Sequence, residues 1–211
     1  MNKFLVFFSF FLFSQAALSD ESSHLVLSAY ERTNPLFSGK VSWQLGVGYL
    51  VGFMVPDFRL SFGSVSYDSI QAVPDNLVAL YPTGTAYYDP ESELLRTREG
   101  SNPWKFLLYE PGITVTRNIF SLEGLTESVR FGIALGKMTD EKNSIEFSAR
   151  LFSLETALSY KLGQSGHWGV IGAFSYHAGV LVAESKYPES SQKGRLPVHY
   201  YSASFGVLYW L

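Results

Sequence analysis

The residues with the most evident chemical potential lie near the C-terminal end of the chain. Ser175, His177 and Glu184 have the types of a nucleophile, a base and an orienting acid. Their spacing argues against that use. In an extended strand, Ser175 and His177 share a face about 6–7 Å apart, too far for the hydrogen bond that activates a serine. Glu184 has the opposite parity. The other histidines, His24, His167 and His199, are scattered with no metal-ligand spacing. The chain has no cysteine, which removes disulfides, thiolate metal sites and cysteine nucleophiles. It also lacks a P-loop, a G-x-S-x-G and a His-Glu-x-x-His motif. The expectation is a protein that is not an enzyme and carries no cofactor or metal.

A second set of residues is charged and regularly placed: Arg59, Glu110, Arg130, Glu146, Arg150, Glu155 and Lys161. What these can do depends on the segments that carry them, and those segments alternate with period two. From Val41 to Met54 one parity reads Val, Trp, Leu, Val, Tyr, Val, Phe. The other reads Ser, Gln, Gly, Gly, Leu, Gly, Met. These are the two faces of a strand. Residues 167–183 and 198–211 repeat the pattern. The charges fall on the small, polar parity. Over 144–162 the alternation slips near Leu151–Ser153, which reads as a bulge. On that reading Glu146 and Arg150 before the bulge share a side with Glu155 and Lys161 after it.

The two faces decide the kind of sheet. Gly, Ser and Ala make a poor water-facing surface, and the bulky face is too large to fill a small barrel. The inverse arrangement fits, with large apolar side chains toward lipid and small or polar ones inside. A sheet in lipid must close, because an open edge leaves backbone groups unsatisfied. Charged residues are only 17% and aromatics 16% of the 211 residues, which suits a lipid-embedded wall. The net charge of −3 favours no nucleic acid. At the N-terminus, Lys3 precedes the apolar run Phe4–Phe13. That run is too short to span a bilayer as a helix and reads as a cleaved signal peptide, residues 1–19, with cleavage after Ala16 or, as favoured, Ser19.

Turn signals place eight strands, at about 23–31, 40–54, 57–71, 104–118, 127–138, 144–162, 167–185 and 198–211. An even count is what a single-chain bacterial barrel requires. The turns at Val55-Pro56-Asp57, 119–126 and Gly163–Gly166 are short. The connections at 32–39, 72–103, 139–143 and 186–197 lie at the other end, so the long ones share a side, as extracellular loops do. Trp43, Trp104 and Tyr201 are expected in the outer aromatic belt, and Phe53, Phe58, Trp168 and Tyr209 in the inner one. Val47, Val115, Ile133 and Val207 are expected between them, facing lipid.

Residues 20–211 resemble, in architecture, the small eight-stranded outer-membrane barrels of the OmpA-transmembrane, OmpX and OmpW kind. The most specific match is the C-terminal strand. Ser204, Gly206, Tyr209 and Leu211 follow the polar-x-Gly-x-x-hydrophobic-x-hydrophobic assembly signal of that class. The family usually ends in Phe or Trp, and this chain ends in Leu211 after Trp210. The resemblance implies an all-β, antiparallel up-and-down transmembrane barrel in the bacterial outer membrane. It implies contact with outer-membrane lipid and lipopolysaccharide and with the barrel-assembly machinery, as a monomer.

Eight strands leave an interior just wide enough for side chains. The seven inward charges are therefore expected to plug the lumen as ion pairs, with Arg130 and Glu155 as one pair. The alternatives are a narrow channel for small or apolar solutes and a lipid-modifying enzyme. The loop 72–103 carries Tyr81-Pro82 and Tyr87-Tyr88-Asp89-Pro90-Glu91. Asp89-Pro90-Glu91 predicts the start of a short helix, and the tyrosines suit contact with an extracellular protein or glycan.

Overall fold

Alternation gives every strand a bulky apolar side and a compact side, and only closure satisfies both the backbone and the apolar side in lipid. The computed structural model shows that closure. It describes residues 24–34, 40–67, 69–71, 86–89, 91, 94–97, 102–119, 123–140, 145–163, 166–185 and 193–211. Residues 1–19, expected to be a signal peptide, and most of the 72–103 loop lie outside them. The strands are β1 His24–Asn34, β2 Lys40–Leu50, β3 Met54–Tyr67, β4 Ser69–Gln71, β5 Ala86–Asp89, β6 Leu94–Thr97, β7 Asn102–Asn118, β8 Leu125–Asp140, β9 Ile145–Lys161, β10 Trp168–Ser185 and β11 Lys193–Trp210. Eight of them form a closed antiparallel barrel in the order β1-β11-β10-β9-β8-β7-β3-β2. β1 closes it, with Tyr30 opposite Gly206 on β11 and Gln44 on β2. Among the described residues no helix is long and apolar enough to cross a membrane.

Three sequence expectations change. The β2–β3 turn is not Val55-Pro56-Asp57. Val51 and Met54 exchange backbone hydrogen bonds across Gly52-Phe53, and Gly52 has φ 59°. Pro56-Asp57 has turn composition, but the residue that tolerates the left-handed conformation stands four positions earlier. β9 has no bulge: its pairing with β8 runs unbroken from Ile145 to Tyr160, and its odd positions stay buried from Ile145 to Ser159. Where a helix start was expected, Asp89 ends β5 and pairs with Leu94 of β6, in a three-stranded sheet of order β4-β6-β5; Pro90 lies outside the described residues. Asp-Pro opens turns as readily as helices, and the tyrosines before it favour a strand.

The outer wall is apolar. Trp43, Leu45, Val47, Tyr49, Ile133, Phe152, Phe174, Phe205 and Val207 are all exposed. Surface of this extent is unsuited to water and matches the lipid-facing band of a membrane barrel. Val115, expected in that band, is half-buried and pairs with Met54, beside the turn. Phe58 is exposed on the outer wall and stands opposite Val47 in the β2–β3 ladder.

The interior is layered. Toward the end that carries the long connections, here the loop end, it is filled by Phe106, Leu108, Met138, Phe147, Leu151, Leu181 and Val198, all buried. The expectation of a uniformly small or polar lumen therefore fails over this half. The small residues of the inward face make room for large neighbours. A Cβ at Gly206 would lie 2.8 Å from the Tyr30 ring, and one at Gly63 would lie 2.8 Å from Phe106. Toward the end that carries both strand termini, the terminal end, the lumen opens into a cavity of about 720 Å³.

The closed wall carries a direct expectation. Purified protein should stay dispersed only with detergent and should migrate differently in SDS gels before and after boiling. Detergent-free solubility with one mobility in both lanes would contradict the lipid-facing barrel.

Candidate functional site

Between the apolar layer and the cavity lies a layer of charge. Arg32 comes from β1, Asp57 and Arg59 from β3, Glu110 from β7, Arg130 from β8 and Glu155 from β9. Inward parity on strands that close upon themselves brings these six groups to one level. They are linked as a ring of alternating sign. Arg32 Nη1 lies 3.3 Å from Glu110 Oε1 and its Nη2 lies 3.2 Å from Glu155 Oε2. Glu155 Oε1 accepts from Arg59 Nη1 at 2.8 Å. Arg59 Nε is 4.0 Å from Asp57 Oδ1, and Asp57 Oδ1 is 2.7 Å from Arg130 Nη2. Arg130 Nη1, at 3.8 Å from Glu110 Oε2, completes the circuit. Three cations and three carboxylates cancel.

Neutral side chains saturate the carboxylates. Ser61 Oγ donates to Glu110 at 2.6 Å, Ser175 Oγ to Glu155 at 3.0 Å and Thr114 Oγ1 to Asp57 at 2.7 Å. Gln44 Nε2 donates to Ser61 Oγ at 3.0 Å. The Arg59 guanidinium lies 4.9 Å from the centre of the Tyr30 ring, in cation–π range. Arg130 Nη2 also donates to the Glu110 carbonyl at 2.7 Å. Its guanidinium rests over two facing glycines: a Cβ on either Gly112 or Gly132 would come within 2.5 Å of it. Exposure of only 1% at Glu110 and 2% at Arg130 and Glu155 means that water does not screen these charges. At such sites partners decide whether a charge can be held at all.

Four of the seven charges singled out in the sequence belong to the ring: Arg59, Glu110, Arg130 and Glu155. Lys161 has inward parity but is exposed at the terminal mouth, where it lines the cavity. Glu146 and Arg150 face outward, because β9 keeps its phase through the place where a bulge was expected. Arg130 and Glu155 do stand directly opposite on β8 and β9. Their short contacts nevertheless go elsewhere, Arg130 to Asp57 and Glu155 to Arg59 and Arg32.

Two ring members were missed. Arg32 lay in the segment read as a loop, and Asp57 in the segment read as a turn. The signals were present: Arg32 shares parity with Ser28 and Tyr30, and Asp57 with Arg59. Taking Gly52 as the turn residue would have placed Asp57 in the strand.

Ser175 and His177 do face the lumen, both 1% exposed. Ser175 is engaged with Glu155. His177 Nε2 lies 3.1 Å from Ser202 Oγ, and its ring stacks on Tyr200 with centroids 4.7 Å apart. This serine–histidine contact is sealed inside the wall, with Ser202 2% exposed. The side chain of Glu184 lies outside the described residues. His24 and His167 close the terminal end: their Nδ1 atoms donate to the Leu211 and Trp210 carbonyls at 3.2 and 2.7 Å. Among the described residues no group of His, Asp and Glu could hold a metal ion.

On the outer wall Trp43, Tyr201 and Trp168 are exposed. Tyr209 packs on Trp168 with ring centroids 4.7 Å apart. The Trp104 side chain lies outside the described residues. Along β11, Ser204 and Gly206 point inward, and Leu211 ends the chain exposed beside Leu25, whose carbonyl it bonds at 2.9 Å.

No known family model matches the sequence, and no curated protein sequence does. Among solved structures, the chain is similar to Neisserial surface protein A, with a TM-score of 0.51 and 9% identity over 89% of this chain and 96% of that one. It aligns more loosely with a major outer membrane protein of Thermus thermophilus, at a TM-score of 0.43 and 13% identity, covering 90% of this chain and 100% of that one. The outer membrane protease OmpT of Escherichia coli aligns at 0.29 and 9%, over 90% and 96%. The first of these shows that the fold is that of the small outer-membrane barrels.

A closed ring predicts coupled energetics. Glu155→Ala takes a carboxylate from both Arg32 and Arg59 and leaves the buried ring with excess positive charge, so it should lower unfolding free energy by about 3–5 kcal/mol. Adding Arg59→Met should cost less than the sum of the two single changes. Urea unfolding of the barrel refolded in detergent reads both quantities. Small, additive losses would mean that water solvates each charge separately.

Proposed function

We propose that this chain is an integral outer-membrane barrel with a structural or surface-interaction role and a closed lumen. One observation carries the reading: a neutral ring of six charges spans the lumen, and buried side chains fill the barrel on its loop-end side. An ion entering from the terminal cavity meets groups whose charges are already cancelled, and beyond them a few buried hydroxyls and His177, followed by an apolar layer. The short turns and both strand termini lie at the cavity end, which in this class of barrel faces the periplasm. The longer connections then face outward, with the β4-β6-β5 sheet as the surface offered to a protein or glycan. Ser204, Gly206, Tyr209 and Leu211 serve as the assembly signal on the strand that closes the barrel. The sealed setting of Ser175, His177 and Ser202 supports a non-enzymatic role, since no substrate can approach them.

Planar-bilayer recording of refolded protein tests this reading. The wild type should stay silent. Steady openings, with selectivity that changes in Glu110→Gln, would overturn the closed lumen and favour a narrow channel.

A further inference from the structure

The cavity at the terminal end holds about 720 Å³, within the range of small-molecule sites, about 300–1,000 Å³. A closed barrel by itself gives it no role. Asp57 and Arg59 of the neutral ring form its floor, and His24, Glu123, Lys161 and His167 stand at its rim. Between floor and rim every inward side chain among the described residues is uncharged.

That uncharged wall has two sides. Thr114, Thr116 and Asn118 of β7, Thr126 and Ser128 of β8 and Ser159 of β9 line one of them. Val26, Leu50, Val55, Ile171, Leu208 and Trp210 line the other. Strand order produces the division. β7, β8 and β9 are consecutive around the barrel, and the apolar residues come from β10, β11, β1, β2 and β3, which complete the circle. Ser28 is the exception on the apolar side, and Ile119 and Leu125 lie at the rim on the polar side.

Each side has groups free to meet a ligand. Trp210 is half-buried. A Cβ at Gly169 would lie 2.5 Å from its six-membered ring, so the glycine lets the indole lie against β10 while it also borders the cavity. Across from it, the Ser128 and Ser159 hydroxyls have no hydrogen-bond partner among the described residues. The Thr114, Thr116 and Thr126 hydroxyls donate to Asp57, the Phe53 carbonyl and Asn118, which leaves their oxygens able to accept.

We infer that this cavity binds a neutral sugar ring, with its C–H face on Trp210 and its hydroxyls toward Ser128, Ser159 and the threonines. A sugar ring carries hydroxyls around its edge and an apolar patch on a face, which is the division seen in the wall. An acyl chain would leave the polar side of the wall unpaired. An ion would find no uncompensated charge between ring and rim. The inference goes beyond the closed-lumen reading and takes from the outer-membrane reading only the side of entry, the periplasm. The sugar is either a free saccharide or the end of a cell-wall glycan strand.

Isothermal titration of the refolded full chain, in an amine-oxide detergent that carries no sugar, tests the site. The probes are cellobiose, maltose and the disaccharide of N-acetylglucosamine. At least one should bind with a millimolar or lower Kd. Trp210→Ala should weaken that binding about tenfold or more, as expected for losing an apolar contact of this size. The double variant Ser128→Ala, Ser159→Ala should weaken it about tenfold. It serves if Trp210→Ala does not refold, since the two hydroxyls hold nothing else in place. Trp168→Phe, an aromatic at the same end that is exposed on the outer wall, should keep wild-type affinity.

Co-sedimentation with insoluble cell-wall glycan, lost in the same variants, assigns the glycan strand as the source. Binding of a disaccharide alone assigns a free sugar, and either result supports the site. Absence of binding by all three disaccharides overturns it, as does affinity that survives both variants. Decanoate that binds and displaces the sugar overturns it in favour of an amphiphile pocket. Heat-modifiable mobility, scored on the same samples, separates failure of this site from failure of the membrane-barrel reading.

Discussion

A strand edge in hydrocarbon has nothing to bond to, and that constraint organises this molecule. It forces β1 against β11, Val26 through Arg32 pairing with Trp210 through Ser204. Once the sheet is closed on eight strands, the width of the lumen is set, and every inward side chain must share it. The charges at mid-lumen, such as Glu110, Arg130 and Glu155, are then shut away from bulk water. They can persist only by neutralising one another, and the ring from Arg32 through Glu110, Arg130, Asp57, Arg59 and Glu155 is that neutralisation.

The same confinement explains the glycines. A lumen this narrow makes each large inward side chain take the space of a small one beside it. Arg130 lies over Gly112 and Gly132, and Tyr30 over Gly206. Small residues on the inward face are therefore complements to a few large ones rather than a lining for water. Above the ring the complement is apolar, with Phe106, Met138 and Phe147 packed as a soluble core would pack them. Below it Ile171, Leu208 and Trp210 pack near Tyr30 along the wall, beside space that stays open. The barrel thus joins two interiors, a packed one and a hollow one, with a charged partition between them.

Outside, the band edge is uneven in charge. Lys105, Lys137, Arg150 and Arg195 are exposed there on β7, β8, β9 and β11, and Glu31 on β1. Since β9 keeps a single phase, Arg150 belongs to the outer wall and not to the ring. One residue of register therefore moves a charge from the lumen to the membrane surface.

The amino-acid sequence by itself determined the class of sheet, the eight strands and the inward parity of Arg59, Glu110, Arg130, Glu155 and His177. Alternation is local: each side chain's face follows from its neighbours two positions away, and bulk and polarity then tell which face meets lipid. The sequence was ambiguous where two local signals compete. Pro56-Asp57 has the composition of a turn but lies in a strand. Asp89-Pro90 can open a helix or reverse a hairpin. The phase of β9 near Leu151 depends on pairing with β8 and β10. Only the tertiary structure decided the partners within the ring. Arg130 and Glu155 face each other across one ladder, yet each pairs with groups on other strands, because guanidinium and carboxylate reach across a closed lumen to positions far apart in the chain. Parity is a property of a strand, whereas partnership is a property of the circle that the strands close.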